Sequence, residues 1–397
     1  MAQLTLNLAD RTSFKRPVAA QFTCAEYFAG IGLVRLGLEQ AGWNVVFAND
    51  WAVDKQAMYS AQFSDSDLHY HLKDIFDLNP THIPNTLLAT ASFPCIDLSL
   101  AGNLQGLTGK HSSAFWGFIH ILKQQLQRPP LVLLENVPGW LTSNQGQDFY
   151  RTIDALNQLG YACDVYAIDA AHFVPQSRSR IFVVGSQTQV PQSNPTNFLR
   201  RDDALTSTAL RRAIAKHPDL CWNFLDTPPL PKQRDTSLEQ IVEHLSNQDD
   251  RWWSNLEVDR HLAMMSSINL NYLEVQKQQP IDSYHTMYRR VRDGQQRAEL
   301  RKDDIAGCLR TAKGGSSRQM IVRSGKGDIQ MRVMTPREYA RLQGVPDTYP
   351  IPKTVNQALT GFGDAVCVPV IQWIAEQILN PLAIQILSQS LTVPLKY

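Results

Sequence analysis

The stretch Thr23-Cys24-Ala25-Glu26-Tyr27-Phe28-Ala29-Gly30-Ile31-Gly32, running into the helical pattern Leu33 to Ala41, decides the fold. A short β-like run passes through a turn with two glycines into a helix, which is the opening unit of a parallel α/β sheet. Glycines at that turn let the backbone approach a ligand at the helix N-terminus. The dinucleotide pattern G-x-G-x-x-G is incomplete, because Arg35 stands where its third glycine belongs, and this disfavours a nicotinamide cofactor. A tight turn with no ligand is the plainer reading of the glycines alone.

Outward from there the alternation continues. Asn44 to Phe47 reads as a second strand, Lys55 to Phe63 as a helix, and Leu87 to Phe93 and Leu131 to Leu134 as further strands with a helix at Ala114 to Gln127 between them. Ile181 to Val184 is another apolar run, bounded by Gly185. The pattern predicts a doubly wound α/β domain over residues 1–188. Near Gln187 the composition turns to Gln, Pro, Ser, Asn and Thr, so a boundary is placed there. Residues 189–350 lose periodicity and are expected to form a smaller, loop-rich second domain. Gly361 to Val366 and an apolar helix from Val368 to Ile378 then return the 351–397 segment to the first domain.

At 397 residues, one large domain with a smaller partner is the default. Hydrophobic content of 43% and charged content of 19% are those of an ordinary globular protein. No apolar run in the sequence reaches the length of a bilayer span, and Met1 to Lys15 lacks the features of an export signal, so a cytoplasmic protein is expected. The six cysteines are far apart without metal-ligand spacing and read as reduced thiols, with no metal expected. A net charge of +1 argues against a uniformly basic nucleic-acid binder. Between Tyr288 and Arg332, however, twelve Lys or Arg face five Asp or Glu, and that stretch can meet phosphates.

Two groups of residues carry chemistry. Phe93-Pro94-Cys95-Ile96 puts a thiol on a Pro-fixed turn after an apolar run, and Glu135-Asn136-Val137 puts a carboxylate at the end of the next strand, on the edge where parallel sheets bind ligands. Taken singly, Cys95 also fits an inert core thiol and Glu135 a buried acid paired with an arginine. Asp50 at the end of strand two is placed for ribose hydroxyls, Trp51 for an adenine face, and Asp74 for an adenine amino group. Each alone also reads as a solvated loop residue; in order at successive strand ends they read as an adenosine pocket.

With these segments in view, the chain resembles the DNA cytosine-5 methyltransferases of the bacterial restriction-modification type. The resemblance is carried by Phe28-Ala29-Gly30-Ile31-Gly32, Asn49-Asp50-Trp51, Phe93-Pro94-Cys95, Glu135-Asn136-Val137, Gln176 to Arg180, Arg337 to Gly344 and Gly363 to Val366, in that order. It implies a Rossmann-like, S-adenosylmethionine-dependent catalytic domain and a smaller target-recognition domain. Cys95 would be the nucleophile and Glu135 the group at ring nitrogen N3, with Arg178 on the cytosine carbonyl and Arg180 supporting it. The methyl donor would be held by Phe28, Ala29, Gly30, Ile31, Gly32, Asp50, Trp51, Asp74, Ile75, Pro94, Asp364 and Val366. Duplex DNA would be met by Ser99, Gln176, Arg310, Lys313, Gly314, Gly315 and Arg318. A monomer is expected, and a cognate endonuclease acting on the same site fits the resemblance.

Three positions depart from the family pattern: Leu33 for a glycine, Ile96 for a glutamine and Asp364 for an asparagine. Asp364 adds a charge near the methionine end of the donor. Two rival readings stay open at this point: a cytosine methyltransferase acting on transfer RNA, disfavoured by the large second domain, and an inactive DNA-binding regulator, disfavoured by the intact Cys95, Glu135 and Arg178.

Overall fold

The computed structural model describes residues 22–93, 114–187, 195–311 and 318–392. Its centre is a seven-stranded sheet built from β1 (Thr23–Tyr27), β2 (Asn44–Asp50), β3 (Tyr70–Leu72), β4 (Leu88–Ala91), β5 (Leu131–Asn136), β6 (Ala162–Asp169) and β7 (Ser179–Ser186), in the order β3-β2-β1-β4-β5-β7-β6. Strands β1 to β5 pair in parallel, whereas β7 lies antiparallel between β5 and β6. The strand order reverses between β1 and β4. In a doubly wound sheet that switch point opens a crevice at the carboxyl ends of the strands.

Alternation along each strand builds two cores. Leu131 and Leu133 of β5 join Cys24, Val45, Leu88 and Phe182 in a cluster with the helices Leu33–Gln40 and Val368–Ile374. Val132 and Leu134 point to the other face, with Ala25, Phe47 and Val183, against the helices Ala114–Gln124 and Gln147–Gln158. The two helices of the first face pack closely because of Gly37, where a Cβ would stand 2.7 Å from Ile371 Cβ.

Strand β6 was not expected from the sequence, whereas β3 falls just before Asp74, where a third strand end was expected. Tyr70–Leu72 is only three residues long, and Ala162–Asp169 carries Asp164 in its buried middle. Arg201 makes that burial tolerable by pairing with both Asp164 oxygens, at 2.9 and 2.6 Å. Phe198, Leu210, Trp222 and Phe224 join the core of the large sheet, so chain following the composition shift near Gln187 still packs on that sheet.

A second, four-stranded antiparallel sheet has the order β11-β10-β8-β9, with β8 (Ser283–Arg292), β9 (Gln295–Arg301), β10 (Met320–Gly325) and β11 (Asp328–Val333). The loop-rich expectation is corrected here. Asp293-Gly294 and Lys326-Gly327 both have positive φ at each position, forming two-residue hairpin turns of the type whose twist matches the strands. Val258 and Leu273, from the helices Asn255–Leu262 and Ser267–Lys277, join Met287, Leu300, Val322 and Met331 in this sheet's own core.

After β11 the chain returns through the helix Pro336–Leu342, whose N-cap Thr335 and Glu338 form a capping box. Glu338 is also fully buried against Arg332 of β11, with Arg332 Nη1 2.7 Å from Glu338 Oε2. The following helical stretch, Val355–Gln389, is long and apolar enough to cross a bilayer, yet 67% of its apolar window is buried within the protein. Its Val368, Ile371, Ile374 and Ile378 are core residues of the large sheet.

Candidate active site and nucleic-acid interface

The turn after β1 is shaped by three left-handed positions, Phe28 at φ 57°, Gly30 at 57° and Gly32 at 82°. Gly32 has no room for a side chain: a Cβ would lie 2.4 Å from the Phe63 ring and 2.8 Å from Tyr59. Ala29 and Ile31 are buried, and Tyr349 donates its hydroxyl hydrogen to Ile31 O at 2.7 Å. The loop is thereby fixed from both sides with its amides at the start of the helix Leu33–Gln40, which suits a negatively charged or carboxylate-bearing ligand.

Asp50 closes β2 and is buried. Its Oδ2 accepts from Gly30 N and its Oδ1 from Ala52 N, both at 2.9 Å, so part of its work is to shape the glycine turn. Each oxygen retains a second acceptor site for a ribose hydroxyl. Trp51 beside it is 65% exposed, and an indole left in water at a strand end is the flat surface an adenine ring would cover. Asp74 caps the turn Ile75–Asp77 by accepting from Phe76 N at 3.0 Å, while Ile75 turns its side chain inward against Gly117. Val366 is buried in the core. Asp364 is not a lone charge, because Lys55 Nζ stands 3.2 Å from its Oδ2, and the Lys55 stem runs along Gly30. The glycine turn, the exposed indole and the carboxylates at successive strand ends fit an adenosine-bearing amino acid such as S-adenosylmethionine.

On the other side of the switch point, Glu135 and Arg180 come together. They sit on neighbouring antiparallel strands, with Arg180 Nε 3.0 Å from Glu135 Oε1 and both side chains largely shielded from water. Asn136 donates from Nδ2 to Phe93 O at 3.4 Å, tying the end of β5 to the residue preceding Pro94 and Cys95. Pro94, Cys95, Ser99, Lys313, Gly314 and Gly315 lie outside the described residues.

Arg178 is placed differently from its expected role on the cytosine carbonyl. It is fully buried, and its guanidinium donates to Leu309 O at 2.9 Å, Ala365 O at 2.6 Å and Gly363 O at 3.2 Å, with Cys308 Sγ at 3.5 Å. Those contacts fasten the start of the Leu309-to-Arg318 stretch to the Gly363-to-Ala365 segment. Gln176 is likewise corrected as a DNA contact: it is fully buried, donating to Leu342 O at 2.7 Å and accepting from Leu309 N at 3.1 Å. Gln343 completes the junction with a 2.6 Å bond to Phe362 O. Motif residues that look polar and available in the sequence are here engaged in joining distant segments.

Arg310 remains exposed, as a DNA-reading group needs to be, while its carbonyl abuts Gly363, where a Cβ would lie 2.5 Å away. Arg318 is half-buried and donates to Asn356 Oδ1 at 2.7 Å. A further basic surface went unnamed residue by residue in the sequence. Cross-strand pairing puts Tyr288, Arg290 and Arg292 of β8 on one face with Arg297, Glu299 and Arg301 of β9, the opposite face carrying the buried Met287, Ala298 and Leu300. Glu299 pairs with Arg290 at 2.8 Å and with Arg292 at 3.7 Å, and Arg301 pairs with Asp303, so four arginines against two carboxylates leave this face positive. The period-two spacing of Arg290 with Arg292, and of Arg297, Glu299 and Arg301, was the available signal. Among the described residues, no group of three or more His, Cys, Asp or Glu is placed to hold a metal ion.

Comparison with known proteins agrees with this layout. The family model described as C-5 cytosine-specific DNA methylase matches residues 22–380. Type II methyltransferase M.HaeII of Haemophilus aegyptius is 27% identical over 372 residues, covering 91% of this chain and 94% of that protein. M.HpaII of Haemophilus parainfluenzae is 28% identical over 369 residues, with 91% and 90% covered. Among solved structures, the DNMT2 of Spodoptera frugiperda superposes with a TM-score of 0.59 at 18% identity, covering 91% of this chain and 99% of its own, a likeness of fold. A family match over nearly the whole chain establishes that the chain belongs to the C-5 cytosine-specific DNA methylases.

Proposed function

We propose that the protein methylates carbon 5 of a cytosine everted from a specific duplex DNA sequence, by way of a covalent Cys95 adduct, as the methyltransferase of a restriction-modification system. The observation that carries this reading is the Glu135–Arg180 pair, held across β5 and β7 at the carboxyl edge of the sheet. A stacked cytosine hides carbon 6, so the base must leave the duplex before a thiolate can add to it. Cys95 adds to carbon 6, and Glu135, hydrogen-bonded to N3, stabilises the charge that moves into the ring. Arg180 keeps that carboxyl group in place and faces the cytosine carbonyl, whereas Arg178 anchors the segments around it.

S-adenosylmethionine, when bound, supplies the methyl group to the activated carbon 5. Loss of the carbon 5 proton then expels the Cys95 thiolate and restores the aromatic ring. We assign the cradle for the donor to Phe28 through Gly32, Asp50, Trp51, Asp74, Ile75, Pro94, Asp364 and Val366. The antiparallel sheet β8–β11, with the stretch from Arg310 to Arg318, is our target-recognition unit, acting on DNA from a monomer alongside a cognate endonuclease.

The test is methyl transfer from tritiated S-adenosylmethionine to duplex DNA and to transfer RNA, followed by bisulfite sequencing of the DNA. Label in DNA at cytosines of one sequence context supports the reading. Label confined to transfer RNA overturns it.

A further inference from the structure

We propose that Lys55 and Asp364 together read the amino-acid end of the methyl donor, Lys55 taking its carboxylate and Asp364 its ammonium group. This rests on the proposed donor cradle at Phe28 to Gly32, Asp50 and Trp51. With Asp50 assigned to the ribose and Trp51 to the adenine, the remaining end of the donor falls to the glycine turn. That end is a zwitterion, so a site that selects it needs one charge of each sign. Lys55 Nζ and Asp364 Oδ2 stand 3.2 Å apart, and the Lys55 stem passes Gly30 with its Cδ 4.0 Å from where a Cβ would project.

Helix stability explains neither charge. Lys55 lies in the first turn of the helix Val53–Gln62, and Asp364 is the last residue of the helix Val355–Asp364. A cation at the start of a helix and an anion at its end both oppose the helix dipole. Their mutual attraction offsets this only in part, because 29% and 38% of the two side chains stay in contact with water, where ion pairs contribute little. The same exposure leaves both groups within reach of a ligand.

The backbone segments that carry the pair are fixed independently of it. Gln357 donates from Nε2 to Asp54 O at 3.0 Å, and Gly361 packs on Met58 and Ile31, where a Cβ would lie 2.8 Å from Met58 Sδ and 3.1 Å from Ile31 Cγ2. On either flank of Asp364, Arg178 donates to Gly363 O and Ala365 O. Asp50 Oδ2 accepts from Gly30 N at 2.9 Å, so the ribose-binding carboxylate, the glycine turn and the Lys55 stem are joined in sequence. Charges of opposite sign that are already in place lose little freedom when a ligand of matching pattern arrives. Removing either one leaves the two helices held by these other contacts.

The experiment titrates full-length wild type, Lys55→Met, Lys55→Arg and Asp364→Ala calorimetrically with S-adenosylhomocysteine and with 5′-methylthioadenosine, the same thioether nucleoside without the amino-acid end. Thermal melting of each protein alone accompanies it. Lys55→Met and Asp364→Ala are expected to bind S-adenosylhomocysteine about tenfold more weakly, the scale of one lost charge-assisted hydrogen bond, and 5′-methylthioadenosine as tightly as the wild type does. Lys55→Arg, which keeps the charge, should recover most of the affinity. Wild-type affinity for S-adenosylhomocysteine in Lys55→Met would overturn the proposal. So would equal losses for both ligands with a lowered melting temperature, which would mark the pair as a bridge between helices. A wild type that binds neither ligand would instead strike the donor cradle, and this inference with it.

Discussion

Arg180 reaches across from β7 to place its Nε 3.0 Å from Glu135 Oε1, and only 14% and 12% of the two side chains remain exposed. A pair so shielded from water has fixed geometry, which suits the role proposed for Glu135 at the ring nitrogen. Glu135→Gln is expected to lower kcat by about 10²- to 10⁴-fold, the range for losing a positioned acid–base group. Arg180→Lys should also lose activity, since an ammonium lacks the planar fork. Single-turnover methyl transfer, with melting curves to confirm an intact fold, checks both.

Arg178 should behave in the opposite way. Its substitution by Ala removes the side-chain donor of Gly363 O, at a cost of about 1–3 kcal/mol for that group, and takes one donor each from Leu309 O and Ala365 O, which keep Cys308 Sγ and Gln343 Nε2. Urea denaturation is expected to show a large drop in midpoint for Arg178→Ala and a small one for Arg180→Ala. Equal midpoints would remove the anchoring role from Arg178.

Glu26 predicts a pH dependence of stability. It is fully buried in β1, accepts from Arg35 N at 3.3 Å through Oε1, and leaves Oε2 without a partner, a burial that pushes its carboxyl up to about 8. The folded protein thus keeps a proton that the unfolded chain releases near its ordinary value of 4.5. This group's contribution is fully present below 4.5 and is lost progressively as pH rises towards about 8. Glu26→Gln keeps the acceptor to Arg35 N and should flatten that decline. Chemical denaturation at pH 5, 6.5 and 8 measures it, and parallel declines in both proteins would contradict the assignment.

The arginine face of the β8–β9 hairpin predicts a salt effect. Replacing Arg292 and Arg297 with Ala should weaken binding to specific and unrelated duplexes alike, and lower the slope of log K against log salt by about 0.9 for each phosphate that is no longer neutralised. Fluorescence anisotropy at several salt concentrations reads this directly. A loss confined to one DNA sequence would instead make these residues readers of bases.

Much of the large sheet was legible because its strands are apolar runs punctuated by glycines and strand-end acids. Its helix at Leu33 and its strands at Thr23, Asn44, Leu131 and Ile181 fall where periodicity put them. Strand β6 escaped because Asp164 interrupts the apolar pattern, and only the tertiary partner Arg201 explains that residue. The second sheet was hidden by its arginines, although Asp293-Gly294 is a hairpin signal that could have been read. Within the site, pairing of Glu135 with an arginine was one reading of the sequence, but that the partner is Arg180 was not legible. Gln176 and Arg178 misled for one physical reason: a polar side chain in a motif looks available until the chain folds distant carbonyls onto it.

The most direct measurement uses duplex DNA carrying 5-fluorocytosine at the target position, incubated with the protein and S-adenosylmethionine. Fluorine cannot leave as the proton does, so the enzyme should remain covalently attached to DNA through Cys95, as an adduct stable to denaturing gel electrophoresis and mapped by mass spectrometry. The Cys95→Ala variant should form none. Methyl transfer to unmodified DNA without any trapped adduct, or an adduct that persists in Cys95→Ala, would contradict the account.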